Sequence, residues 1–154
     1  MIKNNINLQI ADALRAHDGF RLTTLRGLSS ALNYEFIAKQ HELSEDEEIT
    51  VVRREVKKRN DTIETYKNLQ NAKTPNAKIG DHIKKEQKEI EILKEYLPPE
   101  MDEKELSDLV DQAVKDTGAK EIKDMGKVMG IVKEKVGNKA DGSRIAEMVK
   151  AKLQ

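Results

Sequence analysis

The sequence predicts an all-α protein, and three features of its 154 residues support that fold class. Apolar residues recur at spacings of three and four along most of the chain, without a sustained alternation of period two, as on one face of a helix. Aromatic residues make up only 3% of the chain, so the core must be aliphatic, which suits packed helices better than a β-sandwich. Charged residues make up 36%, which fits densely charged helical surfaces around a modest core.

Two helices are predicted before residue 42. The first has an inward face made of Ile2, Ile6, Ile10 and Ala13/Leu14, and His17-Asp18-Gly19 ends it. The second ends near His41, and its inward face consists of Leu22, Leu25, Leu28, Leu32 and Phe36.

The next two helices are predicted to form a long antiparallel hairpin. Ser44-Glu45-Asp46-Glu47 has the form of a capping box, with Ser44 at the N-cap and Glu47 reaching back to it. The stripe that follows consists of Ile49, Val52, Val56, Ile63, Tyr66 and Leu69, and Lys73-Thr74-Pro75-Asn76 ends this helix. The fourth helix carries Ile79, Ile83, Ile90, Leu93 and Leu97.

Pro98 and Pro99 mark the predicted domain boundary, because two prolines stop a helix and favour an extended link. We therefore expect an N-terminal helical domain at 1–96 and a small C-terminal three-helix bundle at 97–154. The three short helices are predicted to start at the N-caps Asp102, Asp124 and Asp141, and the first two to end at Gly118 and at Gly137-Asn138. Their inward residues are Leu106, Leu109/Val110, Ala113/Val114, Met125, Val128/Met129, Val132, Ile145, Met148/Val149 and Leu153.

Composition argues for a cytoplasmic protein. Cysteine is absent, which excludes disulfides and thiolate metal sites and fits a reducing compartment. The N-terminus lacks the apolar stretch of a signal peptide, and no run approaches the roughly 18 apolar residues of a membrane span. We expect no membrane association.

Charge is unevenly distributed although the formal net charge is 0. Residues 117–154 hold nine Lys/Arg and five Asp/Glu, a surplus of +4, and the remaining residues carry −4. A polyanion would therefore meet the basic end of the chain, unless the surplus is only a lopsided charged surface. The candidate contacts surround the turn 137–143 and are Lys127, Lys133, Lys135, Lys139 and Arg144.

The chemistry of such a contact is restricted. Free N–H groups of Gly142 and Ser143 at the start of the last helix could receive a phosphate, although Asp141 competes for them as a cap. No aromatic residue follows Tyr96, so this part of the chain cannot stack on bases, and contact with RNA would be to backbone and shape. We expect no DNA binding.

No catalytic or metal site is indicated by the sequence. His17, His41 and His82 lie far apart and lack partners at ligand spacing, and no nucleophile has a plausible base. The paired acids Glu47-Glu48 and Glu89/Glu91 fit capping and surface roles. We expect no catalytic residues, no metal and no cofactor.

Gly126 and Gly130 lie four residues apart within a predicted helix, where each costs about 1 kcal/mol relative to alanine. They do not match a phosphate-binding loop, which follows a strand. The favoured interpretation is close helix–helix packing inside the bundle. The alternative is close approach of a partner's backbone, such as RNA.

The C-terminal part of the chain contains a recognisable pattern in Asp124-Met125-Gly126-Lys127-Val128-Met129-Gly130 and Lys135-Val136-Gly137-Asn138-Lys139-Ala140-Asp141-Gly142-Ser143, preceded by Tyr96-Leu97-Pro98-Pro99. In these segments the chain resembles the GatB/YqeY family, whose Tyr-Leu-Pro entry corresponds to the last of them. Arg26 with the helix after it, and residues 43–59, extend the resemblance to free-standing YqeY-like proteins. The residues that carry the family pattern are Pro98, Pro99, Gly126, Gly130, Gly137, Asp141 and Gly142. Glu134 and Asn138 dilute a stretch that is often more basic in the family.

The resemblance implies a function linked to tRNA. In the B subunit of the glutamine-dependent tRNA amidotransferase, a carbon–nitrogen ligase, this tail contacts the outer corner of tRNA. The chain has no room for that enzyme's catalytic core, so the first hypothesis is a non-catalytic tRNA-binding or tRNA-metabolism accessory protein. The alternatives are a protein–protein adaptor and an amidotransferase component.

Overall fold

A computed structural model describes residues 1–70 and 77–153, and this part of the chain contains seven α-helices and no strand. The all-α prediction is therefore confirmed. Contacts between helices divide the chain into two compact units, Met1–Leu97 and Pro98–Gln154. Within the described ranges, none of the helices has both the length and the apolar character needed to cross a bilayer.

The N-terminal unit begins with a helical hairpin of α1 (Ile2–Arg15) and α2 (Gly19–Lys39). Asp18 caps α2, because its carboxylate accepts a hydrogen bond from the Arg21 N–H at 2.9 Å. Ile6 and Ala13 are buried as expected. Leu14 is exposed, contrary to the predicted inward face, because Ala13 occupies the buried position of that turn.

The capping box predicted at the start of α3 (Glu45–Gln70) is confirmed. The Ser44 N–H donates to Glu47 Oε2 at 2.9 Å, and the Glu47 N–H donates to Ser44 Oγ at 3.3 Å. The hydrogen bond from Ser44, assisted by one from Lys39, lowers the pKa of Glu47 to about 2. The first turn of α3 is thus closed by an ionised carboxylate.

Helices α3 and α4 (Ala77–Lys94) form the predicted antiparallel hairpin. Arg59 Nε on α3 donates to Glu89 on α4 at 2.8 Å. The Tyr66 ring, seven residues later on α3, stacks on His82, which lies seven residues earlier on α4, as expected for antiparallel helices. The predicted helix end at residues 73–76 lies outside the described residues. Leu69 is exposed rather than inward-facing, because it lies one residue before the C-terminal end of α3.

Two of the acidic residues that were expected to have capping or surface roles, Glu48 and Glu89, have more specific partners. Glu48 is completely buried, and its carboxylate accepts hydrogen bonds from the Ile2 and Lys3 N–H groups at 2.5 and 3.0 Å. Glu48 therefore has a capping role rather than a surface role, but it caps α1 from the neighbouring helix α3 and not its own helix. Glu89 is half-buried and joins α4 to α3 through Arg59. The core of this unit is aliphatic and includes Leu25, Leu28, Leu32, Val51, Val52 and Leu93.

The C-terminal unit is a bundle of α5 (Glu103–Thr117), α6 (Met125–Val136) and α7 (Gly142–Lys152). Its core is built from all three helices and contains Leu106, Val110, Ala113, Val128, Val132, Val136, Ile145, Val149 and Leu153. Gly118 and Gly137 follow α5 and α6 with φ of 63° and 55°, values that favour glycine.

Only one of the three predicted aspartate caps in this bundle bonds as expected. Asp141 accepts from the Ser143 N–H at 3.4 Å, whereas Asp102 stands at the N-cap of α5 without a side-chain hydrogen bond. Asp124 does not cap α6, because its carboxylate turns back to the Lys120 and Glu121 N–H groups and closes the preceding 3-10 turn, Ile122–Asp124. Those backbone hydrogen bonds, with Lys127 and Lys123 nearby, hold the pKa of Asp124 below its usual value.

Candidate nucleic-acid interface

The basic surplus of the chain end is partly neutralised inside the C-terminal unit. Residues 98–154 hold 11 Lys/Arg and 12 Asp/Glu, because α5 and the segment before it are acidic. Lys135 Nζ lies 3.5 Å from Asp116, and Lys152 Nζ lies 2.8 Å from Asp111. The +4 counted over 117–154 therefore overstates the charge available to a polyanion.

Arg144, one of the candidate contacts, holds the segment that enters this bundle. Its Nη1 donates to the Met101 carbonyl oxygen at 3.1 Å and lies 3.6 Å from Glu100. The Met101 N–H in turn donates to the Lys139 carbonyl oxygen at 2.7 Å. Arg144 thus has a structural partner. Its contacts fix Glu100 and Met101 to the bundle, directly after the half-buried Pro98 and the exposed Pro99.

Lys133 and Lys135 lie on different sides of α6, because two residues rotate a helix by about 200°. Lys135 faces Asp116 on α5. Lys133 reaches the start of α7, where its Cε lies 3.8 Å from the position that a Cβ would take on Gly142. The five predicted contacts therefore do not form one surface.

Lys127, Lys133 and Lys139 are the candidates that are still available to a ligand. All three are exposed, and none forms an ion pair with another residue in the described part of the chain. Lys127 and Lys133 belong to α6, and Lys139 belongs to the turn that follows it. Together they make a modest cationic surface.

Gly126 and Gly130 are open to solvent, so the favoured interpretation of close helix–helix packing is wrong. No atom of the described structure lies within 4 Å of where a Cβ would stand on either glycine, beyond the helix's own backbone and chain neighbours. The bundle instead packs on the opposite side of α6, through Val128, Val132 and Val136. The two glycines leave helix backbone exposed beside Lys127 and Lys133.

We call this surface the glycine face and define it as Gly126, Lys127, Gly130 and Lys133. Spacings of three and four place Gly126, Gly130 and Lys133 along one side of α6, with Lys127 next to Gly126. Glu134 is exposed on the following turn and would repel an anion there. Asp124, just before α6, has a lowered pKa and would repel an anion at the other end, so an anionic backbone would fit best between the two, across Gly126 and Gly130.

The start of α7 is a poorer anion site than the glycine face. Asp141 already accepts the Ser143 N–H, which is one of the two groups that a phosphate was expected to use. Its carboxylate also adds a negative charge at the helix N-terminus. Lys133, which approaches Gly142, offsets part of that charge, but Asp141 still competes with a phosphate for the Ser143 N–H.

The described residues contain no group of three or more His, Asp or Glu side chains placed to hold a metal ion. Sequence reasoning missed Asp111 and Asp116 as partners of basic residues, although the acidic composition of 100–116 was a visible signal. It also missed the openness of the glycine face, which depends on how α6 is rotated in the bundle.

The comparison with protein families gives one result that covers almost the whole chain. A family model described as YqeY-like protein matches residues 3–153. No curated protein matches the chain significantly. The family match spans both structural units and includes the glycine face, the turn 137–143 and the pair Pro98-Pro99. The chain therefore belongs to the family of YqeY-like proteins.

Proposed function

We propose that this protein is a non-catalytic RNA-binding accessory protein, with tRNA as its ligand, which it contacts through the glycine face. The observation that carries the proposal is the pair of solvent-open glycines beside two exposed lysines, Lys127 and Lys133, that form no ion pair within 4 Å in the described part of the chain. Glycine in a helix is unfavourable relative to alanine, and no packing contact within the described structure accounts for it here. Close approach of a ligand backbone would account for it.

A nucleic-acid backbone fits this surface better than bases do. Lys127 and Lys133 flank exposed helix backbone, so phosphates could lie across the glycines with a cation on each side. The described part of this unit has no aromatic side chain for base stacking. Recognition would therefore follow the shape of the RNA backbone, which suits a structured RNA such as tRNA.

The salt dependence of tRNA binding tests the proposal. Three available lysines imply a slope of log K against log salt of about −2 to −3. Filter binding of tRNA to the full chain should give that slope, and charge reversal at Lys127 and Lys133 together should reduce affinity at least about tenfold at low salt.

The matched control is Lys104→Glu, which reverses an exposed lysine on the acidic helix α5. We expect this variant to bind tRNA within about threefold of the wild type. Absence of tRNA binding at low salt, or equal losses in the control and in the Lys127/Lys133 variant, would contradict the proposed interface.

A further inference from the structure

The two lysines of the glycine face stand on opposite sides of Gly130. Lys127 lies three residues before this glycine and Lys133 three residues after it, and all three residues are exposed. Six residues of an α-helix correspond to about 9 Å along the axis and leave the two side chains about 120° apart around it. The cations therefore lie diagonally across the glycines, an arrangement that suits two rows of phosphates better than one.

The helix surface between the two cations has little relief. Apart from the local helix backbone and the chain neighbours, no atom of the described residues lies within 4 Å of a Cβ position on Gly126 or Gly130. A ligand can therefore approach the backbone of α6 more closely there than at a residue with a side chain. Asp124 and Glu134 limit the contact to the stretch between them, which is about 15 Å long.

The glycine face lacks the side chains that read bases. Bidentate contacts with base edges are made by Arg, Asn and Gln, and none of these belongs to the glycine face. Its lysines are point charges on flexible stems, which neutralise phosphates without reading sequence. The described part of the C-terminal unit has no aromatic side chain on which an unpaired base could stack. These features favour a paired stem over a single strand.

Among the grooves of a duplex, one fits a helix surface of this shape. The minor groove of B-form DNA is about 6 Å wide, too narrow for an α-helix about 10 Å across. The major groove of DNA admits a helix, but recognition there depends on side chains that reach the base edges. The major groove of A-form RNA is deep and narrow, whereas its minor groove is wide and shallow. A surface of little relief with a cation on each side matches the shallow groove of RNA.

The shallow groove also presents a chemical group that the backbone of α6 can bind. This groove displays the ribose 2′-hydroxyls, which DNA lacks. A carbonyl oxygen has two lone pairs, so one that accepts a hydrogen bond within the helix can accept a second from a hydroxyl. Carbonyl oxygens are most accessible where no side chain covers them, as beside Gly126 and Gly130. The open glycines therefore allow the surface to distinguish RNA from DNA.

We propose that the glycine face binds the shallow minor groove of a double-stranded RNA stem. Lys127 and Lys133 neutralise phosphates of the two strands, one at each edge of the groove, and ribose hydroxyls meet the helix backbone at Gly126 and Gly130. This inference rests on the proposed RNA-binding function and names the part of the RNA that is bound. Binding is independent of the sequence of the stem, because no side chain of the glycine face reads a base.

Filter binding of the full chain at low salt tests the proposal with three labelled ligands of one sequence. These are a short RNA duplex, the corresponding DNA duplex and one RNA strand without self-complementarity. The RNA duplex should bind at least about tenfold more tightly than either of the others. A second RNA duplex of unrelated sequence should bind within about twofold of the first.

Two variants locate the duplex on the glycine face. Charge reversal at Lys127 and Lys133 together should weaken binding of the RNA duplex at least about tenfold, and the Lys104→Glu control should bind it like the wild type. Gly130→Leu keeps both cations but fills the surface between them, so it should lose the preference for the RNA duplex over the DNA duplex.

The outcome separates this inference from the proposed function. A wild type that binds tRNA but prefers the single strand, or binds both duplexes equally, would overturn the inference and leave tRNA binding intact. So would a folded Gly130→Leu variant that still prefers the RNA duplex. A wild type that binds neither tRNA nor the RNA duplex would overturn both proposals.

Discussion

The carboxylate of Glu48 stabilises the start of a helix that lies 45 residues earlier in the chain. It accepts the N–H groups of Ile2 and Lys3, and Met1, at the N-cap of α1, contributes no side-chain hydrogen bond. The sequence placed Glu48 next to the capping residue Glu47 and gave both the same kind of role. Only the packing of α1 against α3 distinguishes the two carboxylates. That contact joins residues far apart in the chain, so it could not be predicted from sequence.

Replacement of Glu48 by alanine should lower the free energy of unfolding by about 2–4 kcal/mol, because two partly buried N–H groups lose a charged, buried acceptor. Glu91→Ala, at an exposed position of α4, is the matched control and should change stability by less than about 0.5 kcal/mol. Denaturant unfolding measures both variants, and hydrogen exchange should show the largest loss of protection at the start of α1. Equal effects of the two substitutions would contradict the capping role.

At the scale of the helices, structural features that depend on neighbouring residues could be predicted from the sequence. The capping box at Ser44 and Glu47, the helix ends at Gly118 and Gly137, and the cap at Asp141 all depend on residues within four positions of one another. Asp124 was misassigned because it has two local choices, and the preceding 3-10 turn takes its carboxylate. The rotation of α6, which opens Gly126 and Gly130 to solvent, depends on packing against α5 and α7.

The capping box at the start of α3 predicts a specific acid sensitivity. The pKa of Glu47 is lowered to about 2 in the folded protein from a usual 4.5, so the stability that it adds is complete above about pH 4.5. That contribution is lost as pH falls towards 2. The Glu47→Gln variant keeps a hydrogen-bonding side chain but does not titrate, so its melting temperature should fall less steeply than that of the wild type between pH 4.5 and 2. Parallel curves would contradict this assignment.

At the scale of the whole molecule, the sequence predicted the all-α fold, but it could not predict how charge is shared among the helices. The basic surplus after residue 117 pointed to a polyanion surface. In the folded C-terminal unit, Asp116 and Asp111 pair with Lys135 and Lys152, and Arg144 holds the Met101 carbonyl. The proposed RNA contact is therefore smaller than the sequence suggested and centred on the glycine face.

Substitution of Gly130 separates ligand binding from stability. Apart from the local helix backbone and the chain neighbours, no atom of the described residues lies within 4 Å of the Cβ position, so Gly130→Ala should raise the free energy of unfolding by about 0.5–1 kcal/mol through helix propensity alone. Gly130→Leu should also fold, because its side chain extends into solvent. The leucine would keep an RNA backbone away from α6.

The most direct test of the account is therefore the tRNA affinity of Gly130→Leu relative to the wild type, measured by filter binding at low salt. We predict a loss of at least about tenfold, which corresponds to about 1.4 kcal/mol, in a variant with an unchanged helical spectrum. A variant that binds tRNA as tightly as the wild type would contradict the proposal that the glycine face is where the RNA binds.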